Sequence, residues 1–468
     1  MKNLKSLKLF SALLVFTLLT FSCSDDDNDI IEFVPTQSIV EIASSTNQLS
    51  QLVLALTKYP DLVDLLSSDG TFTVFAPNDD AFDALLGAIG QASINDIPED
   101  VLKSVLQYHV YTAAALEASQ VTSGTITMAS GEDADVVANS NSVTIANATV
   151  IAIDGIATNG VVHIIDNVMV PPSILPIVGT IVAPAYFNKN FSTLIDAVQA
   201  ADPSILALLL GNGPTDEGLT LFAPTNDAFV AAGITDLAAV VDVVNEVIAY
   251  HVVNGTILST DLPTTTIASE GIPTLLEGFS FYLTNKEDGD SVSINGKTQV
   301  VLDAANIPAS NGVVHVINRT LIPPSQDIVE IVSDFATASS PEFTLLAAAL
   351  TKAGLIGALQ GDGPFTVFAP TDTAFLAAGV DQDYIDAATP AELQPILLHH
   401  VVDPSVYVFS SDVADGAVPM MNGTSVTISG LTILDGSGST PAAKLISSLL
   451  DVHATNGVIH VIDKVLLP

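Results

Sequence analysis

The sequence predicts an α+β fold that is repeated three times along a chain of 468 residues. Two strings recur in the same order, and between them the pattern changes from helical periodicity to short strand-type segments. The first string reads TFTVFAPNDDAF (71–82), LTLFAPTNDAF (219–229) and FTVFAPTDTAF (365–375). The second reads ATNGVVHIIDNVMVPP (157–172), ASNGVVHVINRTLIPP (309–324) and ATNGVIHVIDKVLLP (454–468).

The spacing of the repeats sets the predicted domains. Phe75, Phe222 and Phe368 are equivalent and lie 147 and 146 residues apart, so each repeat is a whole domain. Each domain is helix-rich in its first half and carries short strand-type segments with turn residues in its second half. That order predicts helices packed on a compact sheet or wedge-shaped β-sandwich. We place the domains at 36–172, 174–324 and 326–468.

The first string predicts a strand followed by the start of a helix. Residues 73–75 favour a strand, and Pro77 then ends it. Asn78 lies where the helix needs an N-cap, ahead of the apolar Phe82. We predict that these phenylalanines anchor the helix to the core, with ligand binding as the alternative. The motif positions equivalent to Phe75 and Pro77 are Phe222, Pro224, Phe368 and Pro370.

A third string with one or two histidines lies between the other two: LQYHV (106–110), IAYHV (248–252) and LLHHV (397–401). The apolar positions before it recur at helical spacing and place His109 on the core-facing side. We predict a buried imidazole that bonds to the backbone and fixes how the helix meets the sheet. The corresponding residues are Tyr108, Tyr250, His251 and His400. The third domain has His399 in place of the tyrosine, and Pro395 lies within its helix.

The closing string predicts the central strand of each domain. Asn-Gly suits turn positions with positive φ and commonly begins a hairpin strand. The residues that follow are apolar on both faces, which is typical of a strand buried on both sides. His163 is therefore expected to be a buried, hydrogen-bonded histidine rather than a ligand, as are His315 and His460.

Together these strings resemble the fasciclin domain family. The resemblance lies in T-V-F-A-P-x-x-x-A-F, in the Tyr-His dipeptide and in N-G-x-x-H-x-I-x-x-V-L-x-P, and it covers nearly everything after residue 36. It implies the same α+β architecture and a role in cell–cell or cell–matrix attachment. The third domain departs from the pattern at His399.

The first 22 residues predict an export signal. Lysines precede an apolar segment, and a short polar step leads to Cys23, the single cysteine of the chain. The end of this segment resembles a bacterial lipoprotein signal, which implies lipidation of Cys23; plain secretion is the alternative. Ser24, Asp25, Asp26 and Asp27 resemble the acidic tag that sends some Gram-negative lipoproteins to the outer face of the outer membrane. Residues 23–35 are predicted to form an acidic flexible tether, and the alternative for these four residues is that they are only an ordinary part of it.

The charge of the chain excludes nucleic-acid binding. Twelve basic residues oppose 52 acidic ones, giving a net charge of −40. Removal of residues 1–22, with three lysines and no acid, would leave nine basic residues and a net charge of −43. Such a surface repels phosphate backbones. It keeps a protein soluble and can attract divalent cations, so calcium is an alternative role, although no calcium motif is present.

No motif for catalysis or for a cofactor appears in the sequence. The nucleophile elbow, the zinc-protease helix, the phosphate loop and the dinucleotide fingerprint are absent. The two motif histidines of each domain lie 54, 64 and 60 residues apart, far from metal-ligand spacing. We expect no catalytic, cofactor or metal residues and no enzyme activity.

Three functions remain as hypotheses. The first is adhesion, in which the domains bind proteins or polysaccharides of other cells or of the matrix, or associate with themselves. The second is a glycan- or ligand-binding accessory of an outer-membrane uptake system; the absence of tryptophan weighs against it, because sugar platforms favour large aromatic faces. The third is an enzyme, although the sequence shows no set of residues typical of an active site.

Overall fold

The computed structural model of the chain describes residues 34–139, 141–237, 243–261, 271–285, 291–413, 415–436 and 441–468. The predicted signal over 1–22, the lipidation site Cys23 and the acidic tag from Ser24 to Asp27 lie outside the described residues. No helix in the described ranges is long and apolar enough to cross a membrane.

Domain 1 begins with helices and continues into one sheet. Ser38 and Glu41 form a capping box that starts its first helix. The helices are α1 (Ile39–Ser45), α2 (Ser50–Leu56), α3 (Pro60–Ser67), α4 (Asp79–Ala88) and α5 (Glu99–Gln107). The strands are β1 (Phe72–Pro77), β2 (Val110–Tyr111), β3 (Gly124–Thr127), β4 (Asp133–Ala138), β5 (Val143–Ile145), β6 (Ala148–Ala157) and β7 (Gly160–Ile165). The sheet has the strand order β2-β1-β7-β6-β5-β4-β3.

Domain 2 follows the same plan, and most of its strands are only two or three residues long. Its helices are α6 (Ala183–Tyr186), α7 (Ser192–Ala200), α8 (Pro203–Leu210), α9 (Asn226–Ala231) and α10 (Val244–Tyr250). Its strands are β8 (Leu219–Pro224), β9 (Val252–Asn254), β10 (Ile272–Pro273), β11 (Ser280–Phe281), β12 (Leu283–Asn285), β13 (Val292–Ile294), β14 (Thr298–Gln299), β15 (Ile307–Ala309) and β16 (Gly312–Ile317). The sheet that carries the motifs has the order β15-β16-β8-β9.

Domain 3 starts at a second capping box, formed by Asp327 and Glu330. Its helices are α11 (Ile328–Thr337), α12 (Thr344–Ala353), α13 (Ile356–Leu359), α14 (Asp372–Ala377), α15 (Gln382–Ala387) and α16 (Pro390–Leu398). Its strands are β17 (Phe365–Pro370), β18 (Gly416–Pro419), β19 (Ser425–Ser429), β20 (Thr432–Leu434), β21 (Ala443–Lys444), β22 (Val452–Ala454) and β23 (Gly457–Ile462). Helix α16 runs through Pro395, so this proline does not end it.

The α+β fold is confirmed, and each domain has a core on both sides of its central strand. In domain 1, Val162 of β7 belongs to the core beneath the helices, whereas Ile165 belongs to a second core between strands. Domains 2 and 3 have corresponding cores between strands around Phe222 and Phe368. The central strands β7, β16 and β23 each pair in parallel with the strand of the first string and antiparallel with the preceding strand.

The helix caps predicted from the first string are present. The side chain of Asn78 accepts a hydrogen bond from the backbone N–H of Ala81, at 2.9 Å. Thr225 and Thr371 make the corresponding bonds in the other domains. These caps satisfy amides that a helix start otherwise leaves unbonded, and they hold the helix at the end of the strand.

The domains pack against one another at both junctions. At the first junction, the side chain of Gln91 donates to the carbonyl of Pro184 at 2.9 Å, and the N–H of Lys189 donates to the carbonyl of Asp96 at 2.9 Å. The helix-side cores of domains 1 and 2 are continuous in the described residues. The junctions therefore hold neighbouring domains in contact instead of leaving them on free linkers.

Candidate functional site

The phenylalanines of the first string lie in the core between strands. Phe75, Phe222 and Phe368 are at most 1% exposed. In the parallel pairing, each stands directly opposite the histidine of the closing string, which is His163 for Phe75. The ring centroids of these pairs lie 5.6, 5.3 and 5.8 Å apart. Pro77, Pro224 and Pro370 are the last residues of their strands.

The histidines of the middle string connect a helix end to the segment after the last strand. His109 bonds through Nδ1 to the carbonyl of Val105 at 2.7 Å, and its Nε2 accepts from the N–H of Met169 at 2.9 Å. A carbonyl only accepts and an N–H only donates, so these partners fix the proton on Nδ1. His251 and His400 make the same pair of bonds in their own domains.

The histidines of the closing string are held in the opposite tautomer. Nε2 of His163 bonds to the carbonyl of Leu116 at 2.8 Å, and Nδ1 accepts from the N–H of Asp154 at 3.4 Å. His315 and His460 repeat this arrangement with bonds of 2.8 and 2.7 Å from Nε2. The backbone partners therefore place the proton on Nε2 in all three domains.

Burial keeps the middle-string histidines neutral. It lowers the pKa of His109, His251 and His400 to about 4, and the hydrogen bond to the carbonyl opposes this shift. Burial also lowers the pKa of His315 and His460, with the Asp451 carboxylate opposing it at His460. In all six motif histidines both ring nitrogens face backbone groups, so neither nitrogen is available to a substrate or a metal ion.

The residue before the middle-string histidine also faces inward. Tyr108 and Tyr250 are almost completely buried, and their hydroxyls donate to the carbonyls of Asp133 and Ser280 at 2.7 and 3.0 Å. His399 replaces the tyrosine in domain 3 and bonds through Nδ1 to the hydroxyl of Thr424 at 2.6 Å. In domain 3, a hydrogen bond between His399 and a threonine hydroxyl thus replaces the hydrogen bond from a tyrosine hydroxyl to a backbone carbonyl.

The asparagine of the closing string has a role that its sequence pattern did not predict. Asn159 accepts from the N–H of Ile39 at 3.0 Å, and its Nδ2 donates to the carbonyls of Leu66 and Ser68 at 2.7 and 3.0 Å. Its amide thus joins the start of α1 to the end of α3. Asn311 and Asn456 form the same three bonds in their domains.

The expectation of a positive-φ turn at this Asn-Gly pair was wrong for the asparagine, which has no positive φ in any domain. The hairpin loop is Thr158-Asn159, because Ala157 pairs with Gly160. The glycine is required by close approach: a Cβ at Gly160 would lie 2.2 Å from the carbonyl oxygen of Phe72. The neighbouring strand leaves no space for a side chain.

A buried threonine is a second recurring residue that the sequence patterns did not reveal. The hydroxyl of Thr73 donates to the carbonyl of Ala114 at 2.7 Å and accepts from the N–H of Leu116 at 2.8 Å. Thr220 and Thr366 repeat this pair of bonds. The only sequence feature that indicated this role was the recurrence of threonine two residues before each motif phenylalanine.

The motif residues accordingly form an internal framework, and no reactive cluster emerges from them. The parts of the chain that the structure describes contain no group of three or more His, Cys, Asp or Glu side chains able to hold a metal ion. What the domains can offer a partner is their outer surface and the junctions between them.

The second junction is lined by aromatic rings. Tyr282 of domain 2 lies against Tyr407 and Phe409 of domain 3, with ring centroids 4.2 and 5.7 Å apart. Next to these rings, the hydroxyl of Thr284 bonds to the carboxylate of Asp412. Burial raises the pKa of both Tyr282 and Tyr407. These contacts fix domain 3 against domain 2 beside the short proline-bearing link.

Comparison with known proteins matches the three repeats to one family. The fasciclin domain model matches residues 47–171, 189–323 and 341–468. The chain is 26% identical to pig transforming growth factor-beta-induced protein ig-h3 over 92% of its own length and 57% of that protein. It is 31% identical to human periostin over 66% of its length and 34% of that protein. It therefore spans little more than half of the first relative and a third of the second.

Further similarity is found in bacteria and among solved structures. Protein sll1483 of Synechocystis is 41% identical over 29% of this chain and 74% of its own length. A solved FAS1 domain pair from the insect cell adhesion molecule fasciclin I matches 60% of this chain at 18% identity, with a TM-score of 0.28. The family model itself covers well over half of the chain. The chain therefore belongs to the fasciclin domain family and carries three fasciclin domains in tandem.

Proposed function

We propose that the chain is a surface-anchored adhesion protein that mediates cell–cell or cell–matrix contact through its tandem fasciclin domains. One observation carries the proposal: the motif phenylalanines and histidines of all three domains lie in the interior, and the histidines bond to backbone groups. The recurring polar residues stabilise the fold and are not available to a partner. Each domain therefore contacts its partners through its outer surface. The partners of this surface are proteins or polysaccharides of other cells or of the matrix, or a second copy of the chain.

The packed junctions support the same proposal. Surfaces on neighbouring domains keep a fixed spacing where the domains are in contact, as at Tyr282 and Tyr407. Several weak contacts made at once by one array give an avidity that exceeds that of each contact alone. Three domains in a row suit attachment better than they suit catalysis at one site.

We propose further that Cys23 carries the lipid anchor and that residues Ser24 to Asp27 direct the chain to the outer face of an outer membrane. The support is the sequence pattern of the leader. Detergent phase partitioning of the expressed chain tests the anchor. The chain with Cys23 should enter the detergent phase and Cys23→Ala should not; equal partitioning of the two would refute the lipid.

The adhesive function is tested with beads coated with residues 24–468. Their clumping reports self-association, and their retention on cells and on matrix polysaccharide reports attachment. Each assay is run with calcium and with chelator, because the acidic surface can attract divalent cations. Retention above that of beads with an unrelated acidic protein supports the proposal, and a chelator effect would give calcium a role. Inert beads in every condition refute the proposal.

The second candidate function is a glycan- or ligand-binding accessory of an outer-membrane uptake system. One observation favours it: a pocket that carries two basic side chains lies between domains 2 and 3. Loss of glycan uptake on deletion of the gene, with unchanged attachment, would favour this function over adhesion.

A further inference from the structure

A pocket of about 390 Å³ lies where domain 2 meets domain 3. Its volume is in the range of ~300–1,000 Å³ that is typical of small-molecule sites. Domain 2 contributes Asn295, Lys297, Arg319 and Thr320, and domain 3 contributes Phe335 and Asp451. The site therefore requires both domains in their packed arrangement.

Two cations meet in this pocket, although cations are scarce in the chain. Lys297 and Arg319 are two of the nine basic residues that follow residue 22. Among the described residues, no carboxylate lies within 4.0 Å of either charged group. The pKa of Lys297 is lowered by lost solvation, with Asp451 opposing this shift and the nearby Arg319 adding to it. An incoming anion would relieve the repulsion between the two cations.

The pocket also contains a buried hydroxyl that lacks a partner. Thr320 is 3% exposed, and its Oγ1 makes no hydrogen bond to any described group. Buried polar atoms are nearly always bonded, because leaving one unbonded costs free energy. Nδ1 of His453, a lining residue from domain 3, is unbonded as well, and burial lowers the pKa of His453 to about 4. Both residues line the pocket.

The carboxylate of Asp451 does not cancel the positive charge. It accepts hydrogen bonds from the N–H and the hydroxyl of Ser410, at 2.6 and 2.5 Å, which tie it to domain 3. With Lys297 and Arg319 charged and His453 neutral, the described groups that line the pocket carry a net charge of +1. Neutralising the carboxylate of Asp451 would require one cation, whereas the pocket has two. It would also leave the unbonded hydroxyl of Thr320 unexplained.

We propose that this pocket binds one anionic sugar residue, a hexuronate unit of a polysaccharide. The carboxylate of the sugar lies between Lys297 and Arg319, and its hydroxyls bond to Thr320 and Asn295. Charged hydrogen bonds to a carboxylate are the strongest that such a site can offer. Two features favour a sugar over a bare phosphate. Amide and hydroxyl groups line the pocket beside the two cations, and the volume of the pocket exceeds that of a small ion. The inference rests on the proposed adhesive function for its biological use, and it specifies the class of polysaccharide.

The test is calorimetric titration of residues 24–468 with glucuronate, glucose and inorganic phosphate. Saturable binding of glucuronate, with no binding of glucose, is expected. Lys297→Gln and Arg319→Gln should each weaken binding by about tenfold or more, whereas Lys352→Gln, at an exposed lysine of domain 3, should not change it. No binding of glucuronate, or unchanged binding by both pocket variants, would overturn the proposal. Phosphate that binds as tightly as glucuronate would overturn the assignment to a sugar.

A second variant separates binding from folding. Thr320→Val keeps the shape of the side chain and removes the unbonded hydroxyl, so the ligand-free chain should melt at a higher temperature while binding glucuronate more weakly. Unchanged affinity in this variant would remove Thr320 from the site. Titration with a monosaccharide does not depend on attachment: a chain that binds glucuronate but retains no beads would refute adhesion alone. Retained beads without glucuronate binding would refute this site alone.

Discussion

Nε2 of His109 accepts a hydrogen bond at 2.9 Å from the N–H of Met169, which lies 60 residues further along the chain. The same ring bonds through Nδ1 to the carbonyl of Val105, one helical turn earlier. One neutral imidazole thus joins the end of α5 to the segment that leaves β7. This bond recurs in all three domains. The role of the motif histidine is therefore to hold the end of the helix against the segment that follows the central strand.

Replacement of His109 by Ala should destabilise domain 1 by about 1–3 kcal/mol, because it leaves the buried N–H of Met169 without a partner and removes one of the two hydrogen bonds to the carbonyl of Val105. Urea unfolding followed by circular dichroism measures the loss. Asp100→Asn, at an exposed position of the same helix, is the control and should change stability little. A His109→Ala chain as stable as the control would show that the bond contributes nothing.

Stability should fall as the pH drops from about 6.5 to about 4. The folded-state pKa of His109, His251 and His400 is about 4, below the usual value of 6.5, so the unfolded chain takes up protons first. Within that window, each of these histidines should contribute at most about 1.4 kcal/mol per pH unit to the slope of the free energy of unfolding against pH. Urea midpoints between pH 7 and pH 4 measure the slope. A His251→Gln chain should show a smaller slope than the parent chain, and an equal slope would contradict the assignment.

Asn311→Asp should unfold domain 2 more easily, by about 3 kcal/mol or more. The amide Nδ2 donates to the carbonyls of Leu209 and Gly211, and a carboxylate would face both oxygens without a donor. Thermal unfolding measures the effect. Asn190→Asp, at an exposed position, makes the same chemical change and should be nearly neutral. Equal effects of the two variants would mean that the amide bridge does not stabilise the domain.

Much of the local structure follows from the sequence, because the strand, its proline and the capping residue at Asn78 are neighbours in the chain. The inward position of His109 follows from helical spacing for the same reason. The partners of Asn159 were not predictable, since Ile39 lies 120 residues away and no local pattern links the two. The pocket between domains 2 and 3 was hidden too, because Lys297 and Asp451 meet only when two domains pack.

Tyr282→Ala should loosen the second junction. The ring packs on Tyr407 and Phe409, and its loss should cost the junction about 1–3 kcal/mol while each domain keeps its own core. X-ray scattering should report a larger radius of gyration. Tyr384→Ala, at an exposed tyrosine of α15, should leave it unchanged. An unaltered scattering curve for Tyr282→Ala would show that these rings do not hold the junction.

The most direct test of the adhesive function is the number of coated beads that remain on a cell layer, and on matrix polysaccharide, under a fixed flow. Beads with residues 24–468 are compared with beads that carry an unrelated protein of equal negative charge. Adhesion through the outer surface predicts retention well above the control, and the folded Asp100→Asn chain should be retained equally. Retention no higher than the control on every surface would contradict adhesion.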